Sequence, residues 1–126
     1  MEPGAPSPET LSLVTALLAQ GPGFPAGDTA QGLDLHLALT PDGRLDPVLY
    51  QHDPRPWRAR RFYPDRADWH GEVVHEDELW TLRGAPAADG PLWFLEASDL
   101  RPGAMFVLRR PDGETLLFRV VSIGPG

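Results

Sequence analysis

Cysteine is missing from all 126 residues, as are lysine and asparagine, and isoleucine occurs once, at Ile123. The lack of cysteine excludes disulfides, thiolate metal sites and a cysteine nucleophile, a composition that suits a reducing cytoplasm. The lack of lysine makes all eleven basic residues arginine. A GC-rich coding bias accounts for this, so the planar guanidinium fork cannot be counted as selected over an ammonium. Apolar stretches are short. Ser12 and Thr15 interrupt the amino-terminal one, which is too short to cross a bilayer and lacks the basic flank of a signal peptide. The expectation is a soluble, cytoplasmic chain with no membrane partner.

A chain of this length fits one domain, 1–126, and burying roughly two-thirds of its unfolded surface supports a core without staples. Its net charge of -7 opposes non-specific contact with nucleic acid or anionic lipid. Only a local patch could overcome that repulsion.

Local signals divide the chain into four parts. Residues 1–7 are rich in proline and glycine and read as a flexible start. Ser7 as N-cap, Pro8 at the first helical position and the apolar set Leu11, Val14, Leu17 and Leu18 predict an amphipathic helix over 8–20, stopped by "GPG". Residues 21–32 read as an irregular connection. From residue 33 to 126 the period is two. In "GLDLHLALT" Leu33, Leu35, Leu37 and Leu39 alternate with more polar residues, as a half-buried strand requires. "PDG" at 41–43 then predicts a turn into a partner strand over "LDPVLY", and "PDG" at 111–113 predicts a second hairpin joining 104–110 to 115–123. Further strands are expected near 57–63, 71–76, 78–83 and 92–97. The fold class is therefore mainly β: a small antiparallel barrel or sandwich of about eight short strands, with one N-terminal α-helix packed on it. Its interior is expected from Leu79, Trp80, Leu82, Leu92, Phe94, Met105, Val107, Leu116, Phe118 and Val120. In "PLWFLEA" both parities are apolar, so Trp93 and Leu95 need cover, and the helix is the economical source of it.

The most unusual stretch is "HDPRPWRARRFYPDRADWH", residues 52–70. Five arginines stand against Asp53, Asp65 and Asp68, a balance of +2, among two tryptophans, a phenylalanine and a tyrosine. Aromatic faces that stack bases at about 1–3 kcal/mol each, with arginines on phosphates, would make a single-strand or other anion site. Strand parity opposes a one-sided groove. Trp57, Ala59, Arg61 and Tyr63 share one face, and Arg58, Arg60 and Phe62 the other. An edge strand with arginine stems over aromatic rings is the plainer account. Trp57, Arg58, Arg60, Arg61 and Tyr63 are the expected binding residues.

Other chemistry is sparse. His70 and His75 in "HGEVVHEDE" are five apart, so a strand sends them to opposite faces, unlike the paired histidines of zinc proteases. No serine sits in a nucleophile elbow and no glycine loop opens a helix on phosphates, so neither a catalytic residue nor a cofactor is expected. The expected function is a non-enzymatic binding or interaction module. Its partner would be a protein or a second copy, through an edge strand or an exposed Trp93. The alternatives are single-stranded nucleic-acid or anion binding through 55–69, and a small metal-dependent hydrolase using His70 and His75.

Overall fold

The computed structural model describes residues 11–53, 55–84 and 93–125. Eight strands run β1 (Ser12–Gln20), β2 (Asp28–Leu37), β3 (Trp57–Phe62), β4 (Trp69–Glu76), β5 (Leu79–Gly84), β6 (Trp93–Glu96), β7 (Met105–Arg109) and β8 (Thr115–Pro125). Each pairs antiparallel with its neighbour in sequence, and β8 closes onto β1. The result is an up-and-down barrel, the architecture that removes sheet edges by closure. Among the described residues no helix is long and apolar enough to cross a membrane.

The expected N-terminal helix is replaced by β1, with residues 8–10 and the flexible start at 1–7 outside the described residues. Along β1 the buried positions are Val14, Ala16 and Leu18, a period of two that shares Val14 and Leu18 with the helical stripe. Hydrogen bonding to β2 on one side and to β8 on the other overrides the local helical preference. The expected connection over 21–32 is likewise shorter. It folds as a turn in which Gly21 and Phe24 exchange backbone hydrogen bonds, and β2 is already running at Asp28. Gly32 in β2 is needed for close approach, because a Cβ there would lie 2.2 Å from Cζ of Phe62.

"LDPVLY" also departs from the expected strand. The turn at 40–44 forms, with Gly43 at φ +88°, but pairing stops at a single Leu39–Leu45 bridge. A short helix, α1 (Pro47–His52), follows. Asp46 caps it by accepting from the amides of Val48 at 3.0 Å and Leu49 at 3.1 Å, and Pro47 supplies a preset φ at the first turn.

α1 covers one end of the barrel, hereafter the helix end. There Tyr50 meets Trp57 and Trp80 edge-on at 5.0 and 5.7 Å, and the two tryptophans stack nearly parallel at 5.8 Å. Asp53 ties this cluster together. Its carboxylate accepts from Trp57 Nε1 at 3.0 Å and from the Arg55 amide and guanidinium at 2.9–3.0 Å. The Arg55 side-chain hydrogen bond leads the effects that lower the Asp53 pKa from 3.8 to about 2, with the Arg55 amide and the Trp57 indole adding to it. Asp53 is ionised in folded and unfolded chains at neutral pH, and below its usual pKa only the unfolded chain gains the proton. Its contribution is therefore present above about pH 4 and lost as pH falls towards 2. Allowing for the half-exposed Arg55, we expect on the order of 1–2 kcal/mol of acid-labile stability. Denaturant titrations at pH 5 and pH 2.5 should show that difference in the native protein and a smaller one in Asp53→Asn.

The barrel interior is filled by alternate strand residues, among them Leu33, Leu35, Leu37, Val73, Leu82, Leu108, Phe118 and Val120. In β6 and β7 the parity is opposite to that expected. Trp93, Leu95, Phe106 and Leu108 point inward, whereas Met105 is exposed and Leu92 lies outside the described residues; Leu79, the first residue of β5, is exposed as well. Trp93 and Leu95 therefore need no helix to cover them. Trp93 is 1 % exposed, so it offers no surface for a second copy. β3 is hydrogen-bonded on both sides, to β2 and β4, and is not an edge.

Candidate functional site

β3 carries the inward set Trp57, Ala59 and Arg61, exposed by 0 %, 3 % and 4 % respectively. The first two are ordinary core residues. The third places a guanidinium inside the barrel, at the end opposite α1, between Leu33 of β2 and Trp69 of β4. Its Cζ lies 5.1 Å from the centre of the Phe118 ring and 4.6 Å from that of Tyr63. Its Nε and Nη1 are buried and have no hydrogen-bond partner among the described residues. Burial pushes the Arg61 pKa down, the Tyr63 oxygen opposes this, and the like charges of Arg110 and Arg66 add to the fall. Two aromatic faces offset only part of the desolvation of a cation, and unpaired buried N–H groups add to the penalty.

Arg61 reaches the wall of a cleft of about 420 Å³ formed by the β1–β2, β3–β4 and β7–β8 connections. That volume falls within the range of small-molecule sites. Two more arginines border it. Arg66 lies with its Cζ 4.6 Å from the Tyr63 ring, and Arg110 stands 5.7 Å over the Trp93 ring and 3.4 Å from a Glu114 carboxylate oxygen. Carboxylates border it as well. Asp65 and Glu114 are exposed, and the half-buried Asp28 is engaged by Gln31 Nε2 at 3.2 Å. Leu18, Phe24 and Leu116 complete an apolar wall. Beneath the cleft, Trp93 contributes a further buried donor without a hydrogen-bond partner among the described residues, its Nε1, and meets Trp69 edge-on at 4.8 Å. A Cβ on Gly71 would lie 2.4 Å from the Trp69 ring, so that glycine leaves the ring room to reach Trp93.

The five expected binding residues divide among three places. Arg61 and Tyr63 meet at the cleft. Trp57 is part of the core at the helix end. Arg58 and Arg60 lie on the outer surface, where Arg60 bonds Asp34 at 2.6 and 3.0 Å and Asp68 at 3.0 Å. His70 is exposed on the outside of β4, whereas His75 points inward and tilts against Trp80 at 4.2 Å. Among the described residues no group of three histidines or acids could hold a metal ion. Sequence reasoning missed Arg110, Gln31 and Trp93 as companions of Arg61, because strand closure alone brings β2, β6 and the β7–β8 turn to one end. No protein-family model, curated protein or solved structure matches this chain.

Proposed function

We propose that this protein is a non-enzymatic binding module that seats a small anionic ligand on Arg61, in the cleft at the arginine end of the barrel. The observation that carries the reading is the buried guanidinium whose Nε and Nη1 have no hydrogen-bond partner among the described residues. A cation placed there lowers the stability of the empty barrel unless something of opposite charge joins it. Eight strands enclose room that core side chains fill here, so the place for a small ligand is the cleft at the barrel mouth.

The single-strand reading draws less support from this arrangement. Arg60 is already engaged by two aspartates, Trp57 has no exposed face, and Arg58 stands apart from the cleft. The hydrolase reading draws less still, with His70 and His75 on opposite faces of β4.

Thermal unfolding in the presence of acetate, sulfate, inorganic phosphate or naphthoate tests the proposal. An anion that binds only the folded barrel stabilises it by about 2.7 kcal/mol at a hundred times its Kd. We expect at least one member of the panel to raise the midpoint saturably in the native protein and not in Arg61→Gln. Equal shifts in both proteins, or no shift with any anion, would count against the seat. Binding of an oligonucleotide with a steep salt dependence would favour the single-strand alternative.

A further inference from the structure

We infer that the ligand is a small organic acid carrying one negative charge on a flat or apolar body. This rests on the reading of Arg61 as the anion seat and narrows it. The buried cation lies at the inner wall of the cleft, against the rings of Phe118 and Tyr63. A head group that reaches it must leave water, and one charge is the most that a single buried guanidinium compensates.

The rim sets the second condition. Arg66 and Arg110 would attract further negative charge, but Asp28, Asp65 and Glu114 border the same cleft and balance the three arginines in sign. Glu114 already stands 3.4 Å from Arg110. A second negative charge on the ligand would meet these carboxylates as it entered, which discriminates against dianions and against nucleic acid. The body of the ligand would lie along Leu18, Phe24 and Leu116, where Phe24 is 39 % exposed and offers its ring to the cleft. Tyr63 and Arg66 present a ring and a planar guanidinium at the same wall, surfaces on which a flat body packs well.

Isothermal titration at neutral pH and low salt with three probes of one shape decides the matter: naphthoate, the neutral naphthamide, and a naphthalenedicarboxylate. Naphthoate should bind about tenfold or more tightly than either of the others, a gap of ~1.4 kcal/mol. Arg61→Gln should erase its advantage over naphthamide. Neutralising the rim with Asp65→Asn and Glu114→Gln together should raise the affinity of the dicarboxylate by about tenfold and that of naphthoate by about threefold or less. Both rim side chains are exposed, so this variant keeps the fold. Naphthamide or the dicarboxylate binding as tightly as naphthoate to the native protein would overturn the inference. So would inorganic phosphate that matches naphthoate through Arg61, an outcome that leaves the anion seat standing. Failure of every anion, phosphate included, removes the seat itself.

Discussion

Arg61→Met should make the ligand-free barrel more stable by about 1–4 kcal/mol, the gain seen when well-packed apolar side chains replace buried charges. Most substitutions of a 4 % exposed residue destabilise, so the sign alone is informative. Among the described residues Nε and Nη1 of the native arginine have no hydrogen-bond partner, and its main company is the rings of Phe118 and Tyr63. Methionine is similar in length, carries no charge to desolvate, and packs favourably against aromatic rings. The check is a guanidinium chloride titration at neutral pH. The midpoint should rise while the slope stays unchanged, since the same surface is exposed on unfolding. The same variant should lose the stabilisation by anions seen in the native protein. A residue whose removal strengthens the empty fold and abolishes binding is held for its ligand.

Trp57→Ala should act in the opposite direction and cost about 3–5 kcal/mol, at the upper end of large-to-small core replacements. Trp57 is fully buried, stacks on Trp80, takes the edge of Tyr50 and donates its indole N–H to Asp53. Its removal opens a cavity beneath α1 and deprives the Asp53 carboxylate of one donor, leaving Arg55 to hold it. Trp57→Phe keeps most of the apolar area and loses the hydrogen bond, so a smaller loss, about 1–2 kcal/mol, is expected. Denaturation midpoints for the two variants check the ordering. Ligand affinity at the arginine end should stay nearly constant in Trp57→Phe, because the cluster belongs to the other end of the barrel.

These two substitutions touch residues of one face of β3 with opposite consequences, which shows what the sequence made legible and what it did not. Period-two alternation and turn chemistry are local, so Leu33, Leu35 and Leu37, the Pro111–Gly113 turn and every strand but β1 could be read directly. The parity of Trp57, Ala59 and Arg61 was also legible, and an arginine on the face of a buried tryptophan and alanine was the signal for the site. Its meaning depended on knowing which face was interior. That follows from closure, since an edge strand would leave Arg61 in solvent. β1 lay beyond local reasoning for the same cause. Leu11, Val14 and Leu18 fit a helix, Val14, Ala16 and Leu18 fit a strand equally well, and the choice is made by pairing with β2 and with β8 roughly a hundred residues away. The helix α1 shows the converse. Asp46 before Pro47 is an N-cap followed by a preset first turn, a local signal that the hairpin pattern obscured.

The buried Arg61 guanidinium as an anion seat is tested most directly by nitrogen-detected NMR of the arginine side chains during a naphthoate titration. With eleven arginines and no lysine the spectrum is small enough to assign by single substitutions. A saturable shift of the Arg61 Nε–H resonance, accompanied by Arg66 and Arg110 and leaving Arg58 and Arg60 in place, is the predicted result. An Arg61 resonance that stays fixed while naphthoate, acetate or phosphate moves only the outer arginines would contradict it.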